Sequence, residues 1–146
     1  MFLGQYHHNL DSKNRLTIPS RYRDMLEDGA YVVQGFDGNL IVYTAPAFEQ
    51  IKQQASQLSV TDQTTRLLNR LIFSTADCLE VDKAGRILIP DFLRQEAGLK
   101  DEVVLAGGGD YFEIWSPERW AEQIAQLHNP TAISQRFAAL KISTSP

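Results

Sequence analysis

The chain contains 146 residues with a formal net charge of −4 at pH 7, and 43% of its residues are hydrophobic. This size fits one ordinary domain or two very small ones, and the composition excludes a disordered chain. No stretch approaches the roughly 18 consecutive apolar residues of a membrane span, and the first residues lack the pattern of a secretory signal. Cys78 is the single cysteine, which excludes an internal disulfide, so we expect a protein of the reducing cytoplasm.

The first half of the chain reads as short strands followed by helices. Its predicted strands are residues 5–10, 16–18, 30–34 and 40–43. Its predicted helices are residues 20–27 and 47–58, and a further helix over 61–73 leads into the second half. Pro19 and Pro46 stand near helix starts, where proline is tolerated. Apolar residues share one face of the second helix, namely Phe48, Ile51, Ala55 and Leu58.

The second half follows the same order. Its predicted elements are a helix over 90–97 ended by Gly98, strands over 102–106 and 111–115, and a helix over 118–127 capped by Ser116. The tail from residue 129 onward carries few signals, and we expect at most partial order there. Trp115 and Trp120 answer Tyr43 and Phe48 of the first half, and such aromatic residues favour a core or an interface.

The two halves carry one motif. The pattern D-x-x-x-R-h-x-I-P-x-x-h-R, where h is apolar, begins at Asp11 and begins again at Asp82. We interpret this agreement as a tandem duplication. Asn14 and Gly85 share one position of the motif, and both residue types enter the left-handed region, so a positive φ is predicted there.

A repeat of this kind is too short to stand alone. A unit of about 45 residues buries too little surface for a satisfactory core. We therefore expect the two units to pack on each other or to exchange strands. The apolar stripes left on the helices indicate further association between chains.

Positive charge is concentrated on the two motifs. They hold 7 of the 14 basic residues of an acidic chain, which is typical of a protein that binds a polyanion. These residues are Lys13, Arg15, Arg21, Arg23, Lys83, Arg86 and Arg94.

The Asp-x-x-x-Arg spacing has two interpretations that the residues alone leave open. In one, the aspartate and the arginine form an exposed ion pair worth about 0–1 kcal/mol. In the other, the aspartate accepts backbone N–H groups and fixes the turn, which projects the arginine toward phosphate or guanine. Lys13 and Lys83 need no internal partner and favour a contact surface.

These motifs resemble those of the MraZ family, whose members carry D-x-x-x-R-h-x-h-P twice. The resemblance covers about residues 1–127, with the opening Met-Phe-x-Gly and the two aromatic pairs. It implies a β-rich α+β fold of the AbrB/SpoVT-like superfamily, in which two tandem swapped-hairpin units form one pseudo-dimeric double-split β-barrel with short flanking helices. The expected boundaries are repeat 1 at 5–48, a helical connection at 49–75, repeat 2 at 76–120, and a C-terminal helix and tail at 121–146.

The resemblance also implies a function and a site. It implies a sequence-specific transcriptional regulator of the division and cell-wall gene cluster, which binds short direct repeats in its own promoter as a homo-oligomeric ring. The implied partners are double-stranded DNA and further copies of the chain, at the nucleoid, with no membrane and no small-molecule substrate. The DNA-binding residues carried over are Asp11, Lys13, Asn14, Arg15, Asp82, Lys83 and Arg86, and Arg21 and Arg23 are further candidate contacts. Asn14 departs from the glycine usual in the family.

Other chemistries find little support in the sequence. His7 and His8 point to opposite faces of a strand and cannot readily share a metal ion. Cys78 lacks an activating base, and a buried structural cysteine is expected. Residues 107–109 form a glycine-rich turn rather than a phosphate loop. No catalytic residues, metal or cofactor are predicted. The alternative function is a non-enzymatic interaction module of the antitoxin (MazE-like) type, which the absence of acidic residues after Glu122 disfavours.

Overall fold

The computed structural model describes residues 1–140 and residue 142. The strands are β1 (Gln5–Asn9), β2 (Arg15–Thr17), β3 (Ala30–Gln34), β4 (Leu40–Thr44), β5 (Asp77–Leu79), β6 (Arg86–Leu88), β7 (Glu102–Gly107) and β8 (Tyr111–Trp115). The helices are α1 (Ser20–Arg23), α2 (Ala45–Ser56), α3 (Gln63–Phe73), α4 (Asp91–Glu96), α5 (Pro117–Gln126) and α6 (Pro130–Phe137), with one 3-10 turn at Asp24–Leu26. The predicted α+β class is confirmed.

The two halves of the chain interleave in the sheets. A six-stranded sheet has the order β1-β7-β8-β4-β3-β5, and β2 pairs with β6 in a separate two-stranded sheet, all antiparallel. The first strand of each half therefore pairs with the third strand of the other half. β4 and β8 meet at the centre, where Leu40 lies opposite Ile114. Neither half has a complete sheet without the other.

The main core lies between the six-stranded sheet and the β2–β6 pair. Leu16 and Ile87 project into it from the two-stranded sheet and are almost fully buried. Phe2, Tyr22 and Phe112 form an aromatic cluster with ring centroids 4.9–5.2 Å apart. Because side chains alternate along a strand, the same sheet presents a second apolar face on its other side.

Helices cover that second face. Phe48 of α2 stacks on Tyr31 with ring centroids 4.5 Å apart, and Trp120 of α5 contacts Trp115 with centroids 5.7 Å apart. The predicted packing of these aromatic residues is confirmed. The stripe on α2 is only partly covered, because Leu58 lies beyond the last helical residue and is exposed.

The helix starts follow side-chain caps. The hydroxyl of Ser116 accepts the backbone N–H of Arg119 at 3.2 Å, which confirms the predicted cap of α5. The hydroxyl of Thr44 accepts the N–H of Ala47 at 3.2 Å, so α2 begins earlier than the proline pattern predicts. A cap at Asp62 makes α3 begin at Gln63.

Two regions differ from the expectation. Cys78 is exposed, not buried, because β5 is an edge strand that pairs only with β3. In the tail, Pro130–Phe137 forms helix α6, whose N-cap Asn129 accepts the N–H of Ala132 at 3.1 Å. The end of the predicted tail, residues 141 and 143–146, lies outside the described residues. No helix in the described part of the chain has the length and apolar character to cross a membrane.

Candidate nucleic-acid interface

The first loop, residues 11–15, is built around one carboxylate. Asp11 Oδ1 accepts the backbone N–H groups of Lys13 and Arg15, each at 2.9 Å, and Oδ2 accepts the Nε–H of Arg15 at 2.8 Å. Asn14 donates its N–H to the carbonyl of Asp11 and has a φ of 59°. The predicted positive φ is confirmed, and asparagine is among the few residues that adopt it readily.

The second loop, residues 82–86, repeats this geometry. Asp82 Oδ1 accepts the N–H groups of Ala84 and Arg86, each at 2.9 Å, and Oδ2 accepts the Nε–H of Arg86 at 2.9 Å. Gly85 has a φ of 79°, as predicted. Each loop combines the ion pair of the first interpretation with the turn cap of the second, since the same aspartate accepts backbone N–H groups and pairs with the arginine.

Hydrogen bonds keep both carboxylates ionised. The backbone N–H of Arg15 lowers the pKa of Asp11 below its ordinary value, and the backbone N–H of Arg86 does the same for the pKa of Asp82. The guanidinium groups lower both pKa values further. The loops consequently keep their aspartate acceptors throughout the neutral and mildly acidic range.

The β2–β6 pair carries both loops on one surface, which we call the ribbon. Leu16 lies opposite Ile87 in its register, and both face the core. The flanking residues must then face outward, because side chains alternate along strands. This outer face consists of Arg15, Thr17, Arg86 and Leu88.

The two arginines lie near each other and remain accessible. Each side chain is 31% exposed, and one terminal nitrogen of Arg86 lies 3.9 Å from Asp11 Oδ2. In each loop the aspartate takes the Nε–H as a hydrogen bond. Within the described residues no acceptor bonds to the terminal nitrogens of Arg15, so its outer N–H groups are available to a ligand.

The lysines stand at different positions in the two loops. Lys13 is the third residue of its loop, whereas Lys83 is the second residue of its own. Both are exposed. The cationic surface thus extends from the ribbon onto the loop tips, but the two halves do not display it identically.

The two remaining candidate contacts have different surroundings. Arg21 lies on α1 and is exposed. Arg23 is half-buried, and its Nε–H donates to the carbonyl of Ile18 at 2.8 Å. Its guanidinium covers Gly85 so closely that a Cβ on that glycine would lie 2.4 Å from Cζ of Arg23.

Sequence reasoning missed Thr17 and Leu88 as surface residues of the site. Leu88 is 57% exposed although it belongs to a buried-looking apolar run. The register between β2 and β6 decides its orientation, and that register depends on pairing between the two halves. The equal spacing of Thr17 and Leu88 from their arginines was the one signal that could have identified them.

Other chemistry is sparse in the part of the chain that the structure describes. No group of three or more His, Cys, Asp or Glu side chains there could hold a metal ion. Glu113 is a half-buried acid that accepts hydrogen bonds from Asn39 at 2.8 Å and from Trp115 at 3.2 Å. Burial nevertheless raises the pKa of Glu113. This acid lies on β8, in the six-stranded sheet rather than on the ribbon.

Comparison with known proteins agrees with the duplicated site. A family model described as "MraZ protein, putative antitoxin-like" matches residues 1–71 and again residues 72–140. The chain belongs to the MraZ family. Each of the two matched segments contains one Asp-x-x-x-Arg loop, as the duplication in the sequence predicts.

Similar MraZ proteins are named as regulators. A protein of Roseiflexus castenholzii named "Transcriptional regulator MraZ" is 42% identical over 97% of this chain and 99% of its own length. Proteins with the same name from Dictyoglomus thermophilum and Herpetosiphon aurantiacus are 41% and 42% identical. The first covers 96% of this chain and 98% of its own length, and the second 82% and 84%.

Proposed function

We propose that this chain is a sequence-specific DNA-binding regulator of transcription. The observation that carries the proposal is the outer face of the ribbon, where two preorganised arginines, Arg15 and Arg86, stand together. The names of its MraZ relatives support the regulatory role. We place its action in the cytoplasm at the nucleoid, with no catalytic step.

A two-stranded ribbon is a shape that a DNA groove can accept. The major groove of B-DNA is about 12 Å wide and admits a two-stranded β-ribbon. An arginine fork there can donate to guanine O6 and N7, and an apolar side chain such as Leu88 can contact a thymine methyl group. Lys13 and Lys83, at the loop tips, would contact the flanking phosphates.

Asp11 and Asp82 serve the same proposal indirectly. A carboxylate pointing at DNA would be repelled, but here both oxygens of each group accept hydrogen bonds from their own loop. Each aspartate therefore holds its arginine in one orientation before DNA arrives, which lowers the ordering cost of binding.

We extend the proposal to the fold of the chain. The exchange of first strands between the halves supports an AbrB-like swapped-hairpin architecture with a double-split barrel. In this proposal each repeat supplies one loop, and the pair of repeats within one chain does what a dimer of single repeats would do.

Assembly completes the proposed mechanism. One ribbon offers few base contacts, so we propose that several copies form a ring and bind short direct repeats in the promoter of their own division and cell-wall gene cluster. Binding at one repeat makes later contacts intramolecular, with a gain in avidity of about 10²–10⁴. Neighbours related head to tail keep one orientation, which matches direct repeats.

The antitoxin-like alternative has weaker support. The family description includes that term. However, the chain has no acidic residues after Glu122 with which to cover a basic partner. The cationic outer face of the ribbon is instead complementary to a polyanion.

The test is DNA binding by matched arginine variants. Fluorescence anisotropy would measure affinity for a labelled fragment of the promoter upstream of the chain's own gene. We expect Arg15→Ala and Arg86→Ala each to lose about 1–3 kcal/mol, or roughly 5- to 150-fold in affinity. Arg70→Ala removes the same charge from the exposed face of α3 and should change affinity little.

Two results would overturn the proposal. One is unchanged affinity of both loop variants, with oligomeric state and folding verified by light scattering and circular dichroism. The other is an affinity that does not fall as salt rises, because phosphate contacts release counterions.

A further inference from the structure

The two loops, residues 11–15 and 82–86, differ in their contact with an arginine of the other repeat. Position 23 in the first repeat is equivalent to position 94 in the second, and both are arginine. Arg23 donates its Nε–H to the carbonyl of Ile18 and lies flat against Gly85 of the second loop. The coverage is close enough that Gly85 is buried, whereas Asn14, its equivalent in the first loop, is only half-buried.

Arg94 does not reproduce this arrangement. Its Nε is buried and has no hydrogen-bond acceptor among the described residues. A terminal nitrogen of Arg94 instead lies 3.7 Å from the carboxylate of Asp91, which stands where the first repeat has Ser20. A buried donor without an acceptor is costly, so this difference between the repeats needs a physical cause.

The residue at position 85, and at the equivalent position 14, supplies that cause. A Cβ added to Gly85 would lie 2.4 Å from Cζ and 2.5 Å from Nε of Arg23. Non-bonded atoms do not approach so closely, so a Cβ at position 85 would displace the guanidinium, and Arg23 keeps this pose only over glycine. Position 14 carries asparagine and therefore has the Cβ that excludes the equivalent guanidinium.

We propose that Arg23 is a positioning residue that clamps the second DNA loop, and that Asn14 prevents Arg94 from clamping the first. The clamp acts on a loop whose carbonyl at Gly85 also accepts the N–H of Ile18 at 2.8 Å. The contact of Arg23 with Gly85 restrains the second loop and thereby fixes the direction in which the Arg86 side chain leaves the ribbon. This inference rests on the proposed DNA binding for its consequence, but the clamp itself is a property of the free protein.

The clamp predicts a specific pattern in the free protein. Arg23→Ala should accelerate hydrogen exchange at the backbone amides of Gly85 and Arg86 and leave those of Asn14 and Arg15 unchanged. Arg94→Ala should leave the exchange rates of the amides in both loops unchanged. Equal acceleration in both loops, or in neither, would overturn the proposal, whatever the protein binds.

The consequence for DNA binding can be separated from direct contact. We expect Arg23→Ala to lower affinity for the promoter fragment about 2- to 10-fold, the worth of one hydrogen bond. The slope of log affinity against log salt should stay unchanged, because Arg23 touches no phosphate. Lys83→Ala should reduce that slope by about 0.9, the value for one lost phosphate contact. A reduced slope for Arg23→Ala would make it a DNA contact and overturn its positioning role.

Exchanging the residues at positions 14 and 85 tests whether they decide which loop is clamped. Gly85→Asn introduces the residue that the chain already accepts at position 14, so the loop should still fold. It should weaken binding as Arg23→Ala does and make Arg23→Ala silent in that background. In an Asn14→Gly background, Arg94→Ala should weaken DNA binding, whereas Arg94→Ala alone should leave the affinity unchanged. Additive effects in both double-mutant cycles would contradict the proposal.

One control separates the two proposals. If Arg15→Ala and Arg86→Ala leave DNA affinity unchanged, the proposed function fails while the exchange data still decide the clamp. If those variants lose affinity and Arg23→Ala does not, the proposed function survives and the proposed consequence of the clamp for DNA binding is refuted.

Discussion

Single carboxylates organise the site at the residue scale. Asp11 uses one oxygen to hold two backbone N–H groups and the other to hold the Nε–H of Arg15. The backbone bonds make the turn, and the side-chain bond aims the guanidinium. Hydrogen bonds to an ionised group are stronger than neutral ones, so one short side chain fixes both backbone and arginine.

A different acid makes stability depend on pH. Burial raises the pKa of Glu113 above its ordinary value in the folded state. The folded protein therefore binds this proton more readily than the unfolded chain does. The contribution of Glu113 to stability is greatest below the unfolded pKa and is lost as pH rises through the folded pKa.

Replacing Glu113 should flatten this dependence. Between pH 4.5 and pH 7.5 we expect the unfolding free energy of Glu113→Gln to rise relative to that of the unmodified chain, because the amide does not titrate. Urea denaturation at intervals across that range would measure the difference. Glu122→Gln, at an exposed acid of α5 that does not act on the pKa of Glu113, is the control and should follow the unmodified chain closely. Parallel curves for Glu113→Gln and the unmodified chain would contradict the expectation.

At the element scale, the ribbon is the functional unit of the proposed DNA-binding site. Three residues in each strand suffice to place two arginines and two smaller side chains on its outer face. The inner residues, Leu16 and Ile87, anchor the ribbon in the core, which makes it a rigid support rather than a flexible arm.

The exposed leucine on this ribbon should read a methyl group. Replacing the thymines of the promoter fragment by uracil, one position at a time, removes only their methyl groups. At one position we expect about a fourfold loss of affinity, equivalent to about 0.8 kcal/mol for one apolar carbon. Leu88→Ser should abolish this sensitivity, whereas Leu127→Ser, at an exposed leucine at the end of α5, should retain it. If uracil has the same effect on both variants, Leu88 does not contact the base.

Much of this element could be anticipated from the sequence and part could not. The turn chemistry of Asp11 and Asn14 is local, so both the cap and the positive φ were predictable. The orientation of Leu88 and the burial of Arg23 depend on contacts between the halves, which local patterns do not encode. Cys78 was misplaced for the same reason, since an apolar neighbourhood in sequence does not reveal an edge strand.

At the scale of the whole molecule, the proposed assembly constrains the proposed recognition of DNA. A head-to-tail ring requires operator repeats that all point one way. We expect a fragment with several direct repeats to bind about 10²–10⁴ times more tightly than a fragment with one. Inverting a middle repeat should remove most of this gain, and lengthening the DNA without adding a repeat is the control. Equal affinity for the direct and inverted fragments would argue against ordered neighbours.

The fusion of two repeats into one chain has a consequence for the proposed recognition of DNA. Two separate identical subunits would be related by an exact twofold axis, and they would favour a palindrome. Covalent linkage lets each loop differ in sequence from the other. Here Asn14 stands where the second loop has Gly85, and Thr17 occupies the position equivalent to Leu88. In the proposed complex with DNA this difference gives the ribbon a polarity, so a single molecule would distinguish one direction along the double helix from the other.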